Sequence, residues 1–204
     1  MKILCGQIFD LKKNKRLVKE IEKRTGEFSS FRSKPDEKWF SELCYCLLTA
    51  NSSAATCMRI QREAERKNAF LAFGEKQLSG FLKKSGYRFY NKRAEYIVKA
   101  REFLDIKHHL KNKNDKEARG WLVGNVKGLG WKEASHFLRN TGRKDVAIID
   151  RHILRCMNEN AKSLNEREYL RIEKRLGKIA SAVGMNLAEL DLYLWFMQTG
   201  RVLK

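Results

Sequence analysis

Proline is almost missing from this chain: Pro35 is the only one. With so few enforced breaks, and with Lys, Glu, Leu and Ala plentiful, the composition favours helices. Strict alternation of apolar and polar residues is nearly absent as well. DVAIID, residues 145–150, is the one short candidate strand. The apolar runs LCYCLLTA and LYLWFM are far too short to span a bilayer, and the opening MKILCGQIFD carries too little apolar sequence for a signal peptide. Cys5, Cys44, Cys46, Cys57 and Cys156 are odd in number and scattered, with no C-x-x-C pair. A zinc ribbon and a disulfide framework are therefore not indicated, and reduced, mostly buried cysteines of an intracellular protein are expected. Acidic residues are scarce. Lys and Arg number 43 against 24 Asp and Glu, a formal net charge of +19. Such an excess favours a polyanionic partner, nucleic acid first among them. A lysine-rich surface of a heat-tolerant protein is the alternative, but there Glu should keep pace with Lys.

What is present reads as an all-α chain with no internal repeat and no low-complexity tract. Hydrophobic residues make up 43% of the 204, enough for a core in one domain or two small lobes. In IFDLKKNKRLVKEIEKRTGEF, Ile8, Leu11, Leu17, Val18 and Ile21 recur near helical period, with Gly26 as a stop. A second helix is expected to start at Ser33, with Pro35 near its first turn, and to run into a buried stretch. NKRAEYIVKAREFL is amphipathic, with Ala94, Ile97, Val98 and Phe103 facing inward. A capping box from Ser163 to Glu166 opens a later helix, and Asn186 and Gly200 bound the last.

The most informative stretch is VKGLGWKEASHFLRN, residues 126–140. Helix, GNVKGLGW, helix is the sequence form of a helix-hairpin-helix. Gly128 and Gly130 permit a tight turn and let the backbone approach another surface. Amides at the head of the following helix then suit a phosphate; an ordinary glycine turn is the plainer alternative. Lys132 falls in the first turn of that helix, where the macrodipole disfavours a cation. A neutral amine is what a lysine nucleophile needs; phosphate contact or simple solvation is the other possibility. Eighteen residues later, Asp150 closes the apolar run of VAIIDRHIL. A lysine attacking a sugar carbon and a carboxylate stabilising the developing positive charge would form a workable pair. An ordinary helix N-cap is the alternative for Asp150.

VKGLGWKEASHFLRN followed by AIIDRHIL resembles the helix-hairpin-helix and Gly/Pro...Asp signature of the DNA glycosylase superfamily. LLTANSSA, GYRFYNKRAEYI and LWFMQTGRVLK are similar to the archaeal-type 8-oxoguanine DNA glycosylases, the second Ogg family. This resemblance covers most of the chain. It implies a bifunctional DNA N-glycosylase and AP lyase, with Lys132 as the Schiff-base nucleophile, Asp150 as the essential carboxylate, and strand cleavage by β-elimination. The base must leave the duplex to be reached. Asn51 matches the position that contacts the orphaned base, and Phe89 the apolar wedge; a core aromatic is the alternative for Phe89. His136 matches a pocket wall, with a solvated or capping histidine as the alternative. Trp195 is a candidate stacking wall or a core aromatic. The family's chain ends at a lysine whose terminal carboxylate reads the base, which assigns that role to Lys204. The carboxylate accepts from the N7–H that 8-oxoguanine has and guanine lacks; a frayed tail is the alternative.

The resemblance further implies a monovalent cation on the backbone of Gly124, Val126 and Leu129, and no other cofactor. It places the DNA-binding cleft between two helical lobes, residues 38–142 and residues 1–37 plus 143–204. The expected partner is duplex DNA containing 8-oxoguanine, bound by a cytoplasmic monomer with no membrane association. One departure narrows the family. With only Cys156 near the C-terminal end, the four-cysteine iron–sulfur cluster of several relatives cannot form. A same-fold enzyme for another lesion and a non-catalytic DNA-binding module are the competing readings.

Overall fold

The computed structural model describes residues 2–161 and 164–204, and the elements among them are helices. Among the described residues, no helix is long and apolar enough to cross a membrane. The chain divides into two compact units, one of residues 1–32 and 138–204, the other of residues 33–137. Both divisions fall somewhat earlier in the chain than the residues 38 and 143 read from the sequence.

The unit of residues 33–137 is built on α3 (Asp36–Thr49), in which every residue from Trp39 to Thr49 is buried. Pro35 stands at its N-cap, beside the first turn, and the helix begins at Asp36 rather than at Ser33, since Phe31–Ser33 form a separate 3-10 turn. The lack of an amide on proline costs nothing there, because the first helical N–H groups have no helical partner anyway. α3 packs against α4 (Ala54–Arg66), α7 (Tyr90–Ala100) and α8 (Ile106–Leu110), and α5 (Ala69–Ala72), α6 (Glu75–Lys84) and α9 (Asp115–Asn125) belong to the same unit. α6 and α7 pack along each other, and α7 buries Ala94, Ile97 and Ala100, while Val98 and Phe103 are half-buried. α10 (Trp131–Asn140) follows the glycine turn.

The other unit holds α1 (Lys2–Lys12), α2 (Lys15–Ser30), α11 (Arg151–Cys156), α12 (Glu166–Ala182) and α13 (Leu187–Thr199). The single N-terminal helix read from the periodicity is two. Asn14 accepts a hydrogen bond from the Leu17 amide and starts α2, and α2 then runs through Gly26 because buried Phe28 anchors its last turn. Asn165, with Glu168, forms the capping box of α12; the start expected at Ser163 lies outside the described residues. Asn186 caps α13 and Gly200, at φ +67°, closes it, as the sequence suggests. Leu17, Ile21, Phe28, Leu192, Tyr193 and Val202 form one core cluster of this unit, so the segment after α13 is pinned by Val202.

DVAIID is not a strand. Side chains of α12 take the place of a neighbouring strand: Ala147 N donates to Glu173 Oε1 (2.9 Å) and Ile149 N donates to the Tyr169 hydroxyl (3.1 Å). That hydroxyl in turn donates to Ala147 O (2.6 Å). Tyr169 is buried, so removing its oxygen strands two main-chain groups in an apolar setting. Tyr169→Phe is expected to lower unfolding stability by about 1–3 kcal/mol, read as an earlier urea midpoint with an unchanged slope.

Candidate active site

The glycine turn joins α9 to α10. Leu129 N donates to Val126 O (3.1 Å), and Gly128 between them has φ +94°. A positive φ at the third position is the mark of a type II turn, and glycine meets it without a Cβ penalty. A second constraint acts on the same residue. A Cβ on Gly128 would stand 2.2 Å from Tyr96 Cδ2, because the Tyr96 ring of α7 lies against the turn. The neighbouring Glu95 holds Lys92, Lys99 and, at 3.4 Å, Lys127 of the turn. Hydrogen bonds from Lys99 and Lys92, with Lys127 adding to them, pull the Glu95 carboxyl down to about 2. α7 thus braces the turn through a ring contact and an ion pair.

Lys132 is the second residue of α10 and is half-buried. Its Nζ lies 3.0 Å from Glu133 Oε1. Glu133 is buried, and its Oε2 would be 3.2 Å from a Cβ on Gly130. Gly130 O accepts from Ala134 N (2.9 Å), so the helix proper begins there. The acidic partner of Lys132 was not singled out from the sequence. Two adjacent helical positions point about 100° apart, and spacing rules give them no contact. On α4, the buried Cys57 thiol donates to Leu48 O (3.3 Å), and burial pushes it up to about 11, with Lys132 acting against the rise. His136, one turn beyond Lys132, is buried edge-on against Tyr45, ring centroids 5.5 Å apart.

Asn51 is exposed in the loop after α3 and has φ +58°. Asn68 and Asn158 share this left-handed conformation, which asparagine tolerates better than most residues. The preceding backbone is tied down: Leu48 O accepts from the Tyr87 hydroxyl (2.6 Å) as well as from Cys57, and Ala50 O from Arg93 (3.4 Å). Phe89 stands half-buried at the head of α7 with the Arg88 guanidinium 4.4 Å above its ring. It is not a core aromatic.

In the other unit, Asp150 is the N-cap of α11. Its Oδ1 accepts from His152 N (2.8 Å) and Ile153 N (3.0 Å), and its Oδ2 has no hydrogen bond among the described residues. Trp195 of α13 meets His152 edge-on at 4.8 Å. Trp195 Nε1 and His152 Nδ1 are both buried without a hydrogen-bond partner among the described residues. Arg139 donates to Asp191 and, through Nη2, to Asn140 Oδ1 (2.9 Å), and it lies 4.7 Å from the Phe28 ring. Burial raises the Asp191 carboxyl to about 6 despite Arg139, and the negative charge of Asp150 adds to that rise. Lys204 is half-buried, two residues past the anchored Val202.

A sequence model of the 8-oxoguanine DNA glycosylase family matches residues 21–185. The chain belongs to the 8-oxoguanine DNA glycosylase family. It is 51% identical over 209 residues to the 8-oxoguanine DNA glycosylase/AP lyase of Methanocaldococcus jannaschii, covering 99% of this chain and 100% of that one. The enzyme of the same name from Korarchaeum cryptofilum is 46% identical, covering 94% of each chain. Among solved structures, the M. jannaschii 8-oxoguanine glycosylase/lyase in complex with a 15mer DNA containing 8-oxoguanine superposes with a TM-score of 0.95. It is 49% identical and covers 99% of this chain and 100% of that one. The Thermotoga maritima 8-oxoguanine DNA glycosylase superposes at 0.92 with 38% identity and full coverage of both chains.

For this glycosylase-family chain, the brace on the hairpin is open to measurement. Gly128→Ala forces an L residue to a positive φ and drives a methyl into Tyr96, a loss of about 1–3 kcal/mol. Adding Tyr96→Ala is expected to relieve the steric part and leave the backbone part, so thermal melts of the double variant should fall between the two.

Proposed function

We propose that the chain excises 8-oxoguanine from duplex DNA through a lysine Schiff base and then cuts the strand by β-elimination. The carrying observation is Lys132, an amine at the head of the helix behind a braced glycine turn, in a chain of this family. Relatives over nearly its whole length bear the name 8-oxoguanine DNA glycosylase/AP lyase. In this reading Lys132 Nζ attacks C1′ of the damaged nucleotide. Asp150, its Oδ1 fixed by two amides of α11, stabilises the positive charge that develops on the sugar. The imine then makes the C2′ proton acidic, and its loss expels the 3′ phosphate.

Base recognition falls to Lys204 and Trp195. A main-chain oxygen of Lys204 accepts from N7–H of the lesion; guanine presents a lone pair there, and acceptor would face acceptor. Trp195 and His136 form walls of the base pocket. Phe89 is the wedge at the unstacked step and Asn51 contacts the orphaned base. The backbone at Gly128 and Gly130 approaches a phosphate. Gly124, Val126 and Leu129 offer main-chain carbonyls around the turn, and Val126 O, which accepts once from Leu129 N, keeps a second lone pair. A monovalent cation held there would add positive charge for the same phosphate. The enzyme acts in the cytoplasm, as a monomer on double-stranded DNA.

Borohydride reduction tests this directly. Mixed with a duplex carrying 8-oxoguanine opposite cytosine, the protein is expected to give a covalent adduct. Lys132→Gln is expected to abolish the adduct while binding the duplex within about threefold of the parent. An adduct with abasic DNA but none with 8-oxoguanine would move the assignment to another lesion. No adduct with either would leave a DNA-binding module.

A further inference from the structure

The pairing of Lys132 with Glu133 raises a question that the reaction itself poses. A lysine attacks carbon only after giving up a proton, and something must take it. Adjacent residues on a helix diverge, so an ion pair between them requires both side chains to bend toward one point. Here they meet at 3.0 Å, with the lysine more exposed than the carboxylate: the side chains are 30% and 11% exposed. Glu133 therefore lies behind the amine. Gly130 leaves room for it, since any side chain there would crowd Oε2. Cys57 on α4 is held as a neutral thiol by its burial and cannot serve as the acceptor, and His136, one turn along α10, is buried edge-on against Tyr45.

We propose that Glu133 is the proton acceptor for Lys132, an inference that rests on the Schiff-base reading above. Oε1 takes one proton from the ammonium, and the freed lone pair forms the N–C1′ bond. The C1′–N9 pair leaves on the base, and the C1′–O4′ pair leaves on O4′ as the ring opens. Of the three protons that began on Nζ, one remains on the iminium, one ends on the departing base and one on O4′. Glu133 returns to a carboxylate, and the single positive charge is conserved. The simpler role for a glutamate at the third position of a helix is to reach back toward the N-cap. Glutamine fills that role equally well but cannot accept a proton.

Glu133→Gln is thus the discriminating variant, tested in single-turnover borohydride trapping on abasic duplex. That substrate needs the same deprotonated amine and no base excision. We expect trapping to slow by about 10- to 100-fold near pH 6, with the gap closing to a few-fold near pH 9, where solvent and buffer bases can take the proton. Duplex binding and the melting temperature should hold. Glu133→Asp, which keeps a carboxylate on a shorter arm, should fall between the two. Parental trapping rates in Glu133→Gln at every pH would overturn the proposal and leave a helix-start role. A deficit that stays constant across pH would overturn it too, as a structural effect. If the unaltered protein fails to trap, the Schiff-base reading itself fails and the inference falls with it.

Discussion

The contact between the Tyr96 ring and the Cα of Gly128 governs how the rest of the hairpin is arranged. The ring occupies the space where any other residue would carry its Cβ. It therefore fixes the turn from outside, while the Val126–Leu129 hydrogen bond fixes it from within. Once both are satisfied, the direction in which α10 leaves the turn is set, and with it the placement of Lys132 and Glu133. The ion pair of Lys127 with Glu95 adds a second tether from the neighbouring position of α7. Glycine at 128 therefore answers to its own neighbours as much as to any ligand. The space beside its bare Cα is occupied by the Tyr96 ring.

In the other unit the same economy appears with different chemistry. The segment before Asp150 has the composition of a strand but no strand to pair with. A tyrosine hydroxyl and a glutamate from α12 satisfy its amides instead. This holds the chain extended up to Asp150, where the carboxylate takes over as cap of α11. A cap and a charge stabiliser are compatible duties, because the cap uses one oxygen and leaves the other. The structure shows the cap, and the charge-stabilising role proposed above would use the other oxygen.

Much of the fold was legible from local rules. The helical class, the glycine turn, and the bounds of α13 at Asn186 and Gly200 depend on neighbours a few residues apart, and sequence carries that information. The position of Lys132 in the first turn of α10 was legible for the same reason. What was not legible depends on contacts across the chain or on competition between local signals. The Tyr96 ring on Gly128 joins two helices. Coil rather than strand at DVAIID follows from Tyr169 and Glu173, which lie on α12. Asn14 outcompetes a continuous apolar spacing, and Phe28 outweighs Gly26 as a stop. Glu133 was hidden because its partner is adjacent, a spacing at which helix geometry ordinarily forbids contact. The family resemblance supplied the roles of Asn51, Phe89, Trp195 and Lys204, which composition and spacing alone would not assign.

Cys57 carries a consequence of a different kind. Peroxide and related oxidants attack the thiolate form of cysteine, the first rung toward sulfenic and sulfinic acids. Buried, bonded to Leu48 O and held at about 11, Cys57 stays a thiol. Cys44, deeper in α3, is pushed up by its burial as well. An enzyme for oxidised guanine works amid the oxidants that make its substrate. These two cysteines, buried within the unit that carries the hairpin turn, are kept in the form that those oxidants do not consume.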